Sequence, residues 1–185
     1  MSVLKSLIGL FLLLSFLSCK KENTNQQLVS IPNGDFEQWD NQPALSVWQT
    51  NSCTLCLPPF ETYIARQVND VEHGEFAARF IYNGVYNSFA YNKFAVSLHP
   101  TSLTAYIKSN ITAGDSALIN IKIYSENNVV DSGIFFEMNS NPNYRRIEIP
   151  VSQNSINADS ASIQIDGGKK QGTELTVDNL AFVKK

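Results

Sequence analysis

The fold is decided by the stretch with which the ordered part of the chain begins, Ile31-Pro32-Asn33-Gly34-Asp35-Phe36-Glu37-Gln38-Trp39. Its Asn-Gly pair predicts a turn, because both residues tolerate a positive φ. After the turn an apolar Phe36 lies between two acidic residues, which is the period of a strand with one buried face. We expect this segment to pair with the last strand of the chain, Glu174 to Val183.

Most of the remaining chain consists of short apolar runs separated by Asn, Gly, Ser and Pro, a punctuation typical of all-β proteins. Asn127-Asn128 predicts a tight hairpin turn, and residues 139–143 and 167–172 predict two more turns. No stretch after residue 20 has an apolar period of 3.6 long enough for a helix. We therefore predict one all-β domain over residues 28–185, an antiparallel β-sandwich with jelly-roll topology. Its predicted strands are Glu61–Gln67, Phe76–Tyr82, Lys93–Leu98, Leu103–Lys108, Ala117–Ser125, Val129–Met138, Arg145–Ser152, Ser160–Asp166 and Leu175–Val183.

The first 18 residues have the pattern of a secretory signal. One cation, Lys5, precedes the apolar run Leu7–Leu17, which is too short to span a bilayer. The run ends at Ser18-Cys19, before a polar segment, and this resembles the processing site of a bacterial lipoprotein. We expect residues 1–18 to be a signal peptide, Cys19 to carry the acyl chains that anchor the protein, and residues 19–27 to form a flexible tether. A simple cleaved signal and an uncleaved anchor are the alternatives.

The charge of the chain excludes one class of partner. It has 14 Lys and Arg against 17 Asp and Glu, a formal net charge of -3. Nucleic-acid binding needs a cationic patch, whereas the basic doublets Arg145-Arg146, Lys169-Lys170 and Lys184-Lys185 are scattered among acids. We therefore expect no nucleic-acid partner. The signal and Cys19 predict a lipid-anchored protein of the bacterial outer membrane or cell surface, which contacts the membrane through its anchor alone.

Two further cysteines, Cys53 and Cys56, lie in one loop that prolines bound. Outside the cytoplasm a disulfide between them is the simplest interpretation, although so short a loop gives only ~2 kcal/mol in the chain-entropy model. A redox motif would need a helix behind the first cysteine, and Pro58-Pro59 prevents one. A zinc site would need a second pair of ligands, but the two histidines are isolated. Reactive or metal-bound thiols remain the alternative.

Three short motifs resemble the galactose-binding-like jelly rolls, especially the carbohydrate-binding modules of families 4, 9 and 22. They are Asn33-Gly34-Asp35-Phe36-Glu37, Val71-Glu72-His73-Gly74-Glu75-Phe76-Ala77-Ala78-Arg79 and Thr176-Val177-Asp178-Asn179-Leu180. Residues 100–117 are in addition similar to the carbohydrate-metabolism domains of bacterial surface lipoproteins. Together these pieces span most of residues 28–183. The resemblance implies a jelly roll that binds a glycan.

The galactose-binding-like modules often hold a structural calcium ion between their first and last strands. The resemblance therefore implies four ligand positions: the backbone carbonyl of Asp35, the carboxylate of Glu37, the turn that contains Glu75, and the carboxylate of Asp178. Calcium takes about six to eight oxygen ligands, of which only a few need be charged. The alternative is that Glu37 and Asp178 are exposed acids at strand ends and bind no metal.

Strand alternation predicts a core face and a binding face. The predicted core residues are Ala105, Ile107, Ile119, Ile121, Ile123, Ile134, Phe136, Ile147, Ile149, Ile163 and Ile165. The opposite face collects Tyr106, Lys108, Asn120, Lys122, Tyr124, Phe135, Arg146, Glu148, Gln164 and Asp166. Sugars have apolar faces and hydroxyl rims, so an aromatic platform edged by polar groups suits them. We expect Tyr106 and Tyr124 to stack on sugar rings and Lys122, Arg146 and Gln164 to bind hydroxyls. An ordinary solvated sheet face is the alternative.

A loop predicted from Tyr82 to Phe94 adds three aromatic residues, Tyr86, Phe89 and Tyr91, of which the two tyrosines are candidates for the glycan site. They would form either the rim of the site or internal packing of the loop.

Catalysis has little support in the sequence. It contains no Gly-x-Ser-x-Gly, no His-Glu-x-x-His and no Glu-x-Asp-x-x-Glu of the kind found in jelly-roll glucanases. Glu137 and Glu148 would suit glycoside hydrolysis if they faced the same side of neighbouring strands, but solvated surface carboxylates are the simpler interpretation. Three functions follow in order: a non-catalytic glycan-binding lipoprotein, an adhesion or assembly subunit that binds a protein partner, and a jelly-roll glycoside hydrolase.

Overall fold

The computed structural model describes residues 27–40, 45–52, 64–67, 69–82, 84–97, 100–151 and 157–184. The predicted signal peptide, the lipidation site Cys19, the tether up to residue 26 and the predicted Cys53–Cys56 disulfide lie outside the described residues. Within the described part of the chain, no helix is long and apolar enough to cross a membrane.

The described residues form eleven β-strands, and the longer strands coincide with apolar runs of the sequence. The strands are β1 (Gln27–Ser30), β2 (Gln49–Thr50), β3 (Ile64–Gln67), β4 (Ala77–Ile81), β5 (Phe89–Ala95), β6 (Ser102–Asn110), β7 (Ala117–Ser125), β8 (Asn128–Glu137), β9 (Asn141–Pro150), β10 (Ser160–Asp166) and β11 (Glu174–Lys184).

The strands form two sheets, and the pairings within them are antiparallel. The first sheet has the order β3-β4-β11-β6-β9, with β1 also paired to β11, and the second sheet has the order β2-β5-β10-β7-β8. Neighbours in each sheet are mostly distant in sequence. The chain therefore crosses repeatedly from one sheet to the other, and the two inner faces enclose the core.

The core consists of the inward-facing residues of alternating strands. In β7 and β10 the isoleucines Ile119, Ile121, Ile123, Ile163 and Ile165 are completely buried. Branched side chains of this kind suit a pleated, buried surface. The same parity buries Ala105, Ile107, Ile147 and Ile149 in the first sheet, which confirms nine of the eleven core positions that alternation predicts.

The opening stretch is a turn and not a strand. Asn33 and Phe36 have positive φ angles of 45° and 57°, and the side chain of Asn33 donates to the carbonyls of Gln38 and Ser46 at 2.8 and 3.0 Å. The predicted strand pairing of this stretch with the last strand is wrong. The strand that pairs with residues 181–184 of β11 is β1, just before the turn, and the turn itself accepts a hydrogen bond at the Gly34 carbonyl from the Leu180 amide at 2.7 Å. The buried Phe36 follows from the turn geometry, which directs its ring into the core.

The register of β8 differs from the prediction by one residue. The predicted turn at Asn127-Asn128 would place Ile134 opposite Ile121, whereas the observed turn has positive φ at residues 126 and 127 and a β-bulge follows it. Gly133 therefore lies opposite Ile121. A shift of one residue exchanges the two faces of a strand.

As a result, Ile134 and Phe136 leave the predicted core and are 51% and 46% exposed, while Phe135 packs against the core. Gly133 fits its inward position because a Cβ there would lie 2.6 Å from the carbonyl oxygen of Pro150. β5 also begins at Phe89 and not at Lys93. The predicted loop up to Phe94 is therefore wrong beyond residue 88.

Candidate functional site

The predicted glycan platform is divided between the two sheets. Tyr106 on β6 and Arg146 on β9 belong to the first sheet, whereas Lys122 and Tyr124 on β7 and Gln164 on β10 belong to the second. Alternation correctly predicts that all five face away from the core. The five do not form one surface, because the chain crosses the sandwich between β6 and β7.

On the first sheet, residues 69–76 lie over the outer face and form a strap. The His73 ring lies against the Tyr106 ring, with centroids 5.3 Å apart. Lys108 forms an ion pair with Asp70, and the Tyr144 hydroxyl donates to the Asp70 carbonyl at 3.0 Å. These contacts occupy the ring of Tyr106, so the surface beneath the strap offers no open aromatic platform.

The strap changes the ionisation of the groups beneath it. Burial lowers the pKa of Lys108, although Glu174 nearby acts in the opposite direction. Burial, together with the negative charges of Asp178 and Glu72, raises the pKa of Tyr144 well above its ordinary value. Tyr144 therefore stays protonated at neutral pH and remains the hydrogen-bond donor that its contact with the strap requires.

Three of the four predicted calcium ligands meet at the strap. Glu37 Oε1 accepts from the backbone amides of Glu75 and Phe76 at 2.9 and 3.1 Å. Asp178 Oδ2 accepts from the amides of Glu72 and His73 at 2.8 and 2.9 Å. The fourth, Asp35, is exposed and lies beside residues 179–181. The carboxylates of Glu37, in the opening stretch, and Asp178, in β11, thus hold the strap in place through hydrogen bonds to its backbone.

Whether Glu37 and Asp178 could bind a cation depends on the second oxygen of each carboxylate, the one that does not accept from the strap amides. Asp178 is fully buried, its Oδ1 atom has no hydrogen-bond partner, and burial raises the pKa of this carboxyl. An oxygen of this kind suits a hard cation, whose charge would replace the missing donor. No group of three or more His, Cys, Asp or Glu in the described residues could hold a metal by side chains alone, so backbone oxygens would have to complete the set. Calcium stays a prediction.

The second sheet also has a face that points away from the core, here called the second-sheet outer face. Its side chains lie in four rows across β5, β10, β7 and β8, and the register between the strands defines them. The rows are Phe89–Asp166–Leu118–Phe136, Tyr91–Gln164–Asn120–Ile134, Lys93–Ser162–Lys122–Ser132 and Ala95–Ser160–Tyr124–Val129. From Phe89 to Ala95 the face extends about 20 Å, at roughly 3.3 Å per residue.

One end of this face is apolar. Phe89, Leu118 and Phe136 lie in the first row, and Ile134 ends the second row at the sheet edge. Large apolar side chains that share an exposed face indicate a contact surface, whereas single ones are ordinary. Phe89 is one of the aromatic residues predicted for the loop from Tyr82 to Phe94, whereas Leu118, Ile134 and Phe136 are not among the predicted site residues. The hairpin turn alone would not have revealed Ile134 and Phe136, because the β-bulge between the turn and the rest of β8 decides which face they occupy.

The centre of the face is polar and held in place by hydrogen bonds. Gln164 donates to Asp166 Oδ2 at 2.8 Å, and Asn87 donates to Asp166 Oδ1 at 2.8 Å. Tyr91 lies directly across from Gln164, and Asn120 lies on its other side. The predicted residues Gln164 and Tyr91 are therefore neighbours, with an amide beside an aromatic ring.

The other end of the face is cationic. The Lys93 ammonium lies 4.3 Å from the centroid of the Tyr124 ring, and the Tyr124 hydroxyl lies 3.2 Å from Ser162 Oγ. Lys122 is exposed beside them. One face of the Tyr124 ring is thus occupied by a cation. The ring positions Lys93, and this contact competes with the stacking on a sugar expected of Tyr124.

Besides Tyr106, two predicted residues take no part in this face. Tyr86 lies between β4 and β5 and is 47% exposed. Arg146 on the first sheet is 3.7 Å from Glu148, its partner in an ion pair.

The two carboxylates considered for hydrolysis do not form a pair. Glu137 on β8 is buried and forms an ion pair with Arg145. Glu148 is exposed on β9 of the other sheet and accepts from Ser102 Oγ at 2.6 Å. A glycosidase needs both carboxylates in one cleft. Glu137 is buried and held by Arg145, whereas Glu148 is exposed, so the two carboxylates do not line one open cleft.

Comparison with known proteins supports the fold. No protein-family model and no curated protein matches the chain. Among solved structures, TmCBM61 in complex with β-1,4-galactotriose is similar with a TM-score of 0.55 and 10% identity, over 84% of this chain and 97% of that chain. The chain has the jelly-roll β-sandwich fold of such carbohydrate-binding modules. This confirms, at the level of the fold, the resemblance predicted from the three motifs.

Other similar structures have different activities. A cyclase from Fischerella sp. TAU has a TM-score of 0.55 and 10% identity, over 85% of this chain and 96% of that chain. The enzymatically active domain of bacteriophage CBA120 tailspike protein 4 has a TM-score of 0.52 and 15% identity, over 84% of this chain but 21% of its own. Because one fold serves these different proteins, function has to be argued from the site.

Proposed function

We propose that the protein is a non-catalytic carbohydrate-binding lipoprotein and that its second-sheet outer face holds the glycan. The observation that carries the proposal is the arrangement of this face, where Tyr91 lies beside Gln164, Asn120 lies on the far side of Gln164, and the row with Phe89, Leu118 and Phe136 is adjacent. An apolar ring beside fixed amides is suited to a sugar, which presents CH groups on its faces and hydroxyls around its edge.

Two further observations support binding without catalysis. The galactotriose complex of TmCBM61 is a precedent for sugar binding on this fold. The carboxyl group of the face, Asp166, is held by Asn87 and Gln164, and no second carboxyl group lies in any of the four rows. A face of this composition binds and orients a ligand but has no acid–base pair.

The predicted signal and Cys19 add a location to the proposal. A lipid anchor at Cys19 would hold the domain at the bacterial outer membrane or cell surface, where the tether gives the domain reach. Calcium belongs to the same proposal as a structural ion at Glu37 and Asp178, on the first sheet and away from the glycan.

A protein partner is the second candidate, and one observation favours it. Val129, Ile134, Phe136 and Met138 on and after the edge strand β8 are between 46% and 63% exposed. Exposed apolar side chains at a sheet edge are also the composition of a protein contact surface. Changing Phe136 to Ser would abolish a protein contact centred on β8 and would weaken a glycan contact centred on Tyr91 only slightly.

The experiment begins with a glycan array and continues with titration of a bound glycan. Tyr91→Ala removes a ring that would bury about 50 Å² of apolar surface, worth about 1.3 kcal/mol or roughly a tenfold loss of affinity. Tyr106→Ala is the matched control, because it removes the same side chain from the first sheet. Full affinity in Tyr91→Ala would refute the proposed site, and loss of affinity in Tyr106→Ala alone would move it to the first sheet.

A further inference from the structure

We infer that the glycan bound by the second-sheet outer face is acidic, with a carboxylate or sulfate group that contacts Lys93 and Lys122. This inference rests on the proposed function and adds the chemical class of the ligand. It is carried by the third row of the face, in which the two lysines flank Ser162 and Ser132 ends the row at the sheet edge.

The geometry places both cations on one side of one sheet. Lys93 on β5 and Lys122 on β7 are each the direct cross-strand partner of Ser162 on β10. Their Cα atoms are thus two strand spacings apart, about 10 Å. Ser162 itself is buried, with the Tyr124 hydroxyl 3.2 Å from its Oγ, so an anionic group would contact the two long lysine side chains above this serine and not the serine itself.

The tyrosine at the end of the face fixes one of the two cations. The Lys93 ammonium lies 4.3 Å from the centroid of the Tyr124 ring, and the ring is itself held by the contact of its hydroxyl with Ser162 Oγ at 3.2 Å. A cation over an aromatic ring keeps its charge and loses part of its conformational freedom. The Lys93 ammonium is therefore already held in position to bind an anion.

The charges of these lysines are not neutralised by ion pairs. Among the described residues, neither Lys93 nor Lys122 forms a salt bridge. Asp159 interacts electrostatically with Lys93, and its carboxylate also accepts hydrogen bonds from Ser160 Oγ and the Glu126 amide. The chain has a net charge of -3, so a row with two lysines and no acid has a charge opposite to that of the whole chain.

Along the face, the first row thus holds three apolar side chains and one carboxylate, the second row two amides, the third row two cations, and the fourth row no charged residue. About 7 Å separates successive rows, two residues along a strand. A neutral glycan would leave the third row without a counterpart. A glycan with anionic substituents can place a sugar ring on Tyr91 and its charge beside Lys122 at the same time.

The test measures retention of the full chain in native affinity gels that contain one polysaccharide each. Polygalacturonate supplies carboxylates, dextran sulfate supplies sulfate esters, and dextran is the neutral probe. We expect retention by at least one acidic probe, and the probe that retains the protein identifies the anion. Retention should fall as salt rises from about 0.05 to 0.5 M, because salt screens exposed charges.

The variants are Lys93→Gln and Lys122→Gln, with Lys169→Gln as the matched control, since Lys169 is an exposed lysine in the turn before β11. Each of the first two should lower affinity for the acidic probe about two- to fivefold, the range of an exposed ion pair. Lys122→Arg should retain affinity, and Lys169→Gln should have no effect.

Three outcomes are decisive. The inference is supported if Lys93→Gln and Lys122→Gln lower the affinity for the acidic probe and Lys169→Gln does not. The acidic ligand is ruled out if all three Lys→Gln variants have equal effects, or if dextran retains the protein and no lysine variant changes that retention. The proposed glycan site remains valid in either case, provided that Tyr91→Ala still weakens binding. Absence of binding to every probe and to a glycan array overturns the proposed function together with the inference.

Discussion

Truncation of Glu37 tests how the strap is held. Glu37→Ala removes the Oε1 atom that accepts from the Glu75 and Phe76 amides at 2.9 and 3.1 Å. A hydrogen bond to a charged group contributes about 1.5–3 kcal/mol when buried, and the partial exposure of Glu37 reduces each to about 1 kcal/mol. The expected loss is therefore about 2 kcal/mol. In a domain of this size it corresponds to a fall in Tm of roughly 4–8 °C.

The assay is thermal and urea unfolding followed by circular dichroism, in buffer without calcium. Glu75→Ala is the control, because Glu75 is an exposed acid of the same strap whose backbone and not side chain makes the contact. It should change stability by less than about 0.5 kcal/mol. Glu37→Gln should be intermediate, because its amide oxygen still accepts from both donors without the charge.

A second substitution tests the same contact from the other side. Gly74 has a φ of 71°, and a Cβ there would overlap Glu37 Oε1. Gly74→Ala should therefore strain the backbone and also displace the carboxylate. Because both substitutions remove one contact, the double variant with Glu37→Ala should lose less than the sum of the single losses. Additive losses, or a Glu37→Ala protein as stable as wild type, would show that the carboxylate does not fasten the strap.

The remaining predictions concern metal, pH and location. If calcium binds at Glu37 and Asp178, a chelator should lower Tm and added calcium should restore it, with no response in Glu37→Gln; equal melting curves with and without chelator would leave the two acids as metal-free fastenings. Burial by itself raises the pKa of Asp115, but hydrogen bonds from Thr173 and from the amides of residues 169 and 170 outweigh it and hold the pKa below its ordinary value. The stabilising effect of Asp115 is then present at neutral pH and disappears as the pH falls through that lowered pKa. Asp115→Asn should therefore destabilise the protein at pH 7 and have little effect in strong acid. Urea unfolding at the two pH values measures this difference. Cys19→Ser should release the protein into the soluble fraction, and failure of labelled fatty acid to enter the wild type would contradict a lipid anchor.

Part of the candidate site could be predicted from the sequence because strand alternation is local. A period of two residues assigns each side chain to a face without knowledge of the neighbouring strand. On this ground Gln164 and Lys122 are predicted outside the core, and the buried isoleucines of β7 and β10 inside it. The same alternation carries no information on which sheet a strand joins. Tyr106 and Tyr124 therefore belong to one predicted face and to two different sheets.

The sequence by itself determined the all-β class, most of the strands and the parity of most of the core, because short-range periodicity and turn residues encode them. Tertiary structure alone decided the composition of the site. A bulge and a turn shifted by one residue moved Ile134 and Phe136 to the surface, and the crossovers brought Lys93, Ser162 and Lys122 into one row from three distant segments. Such a row is a product of pairings between strands remote in sequence, which depend on the packing of the whole sandwich and on no single segment of the chain.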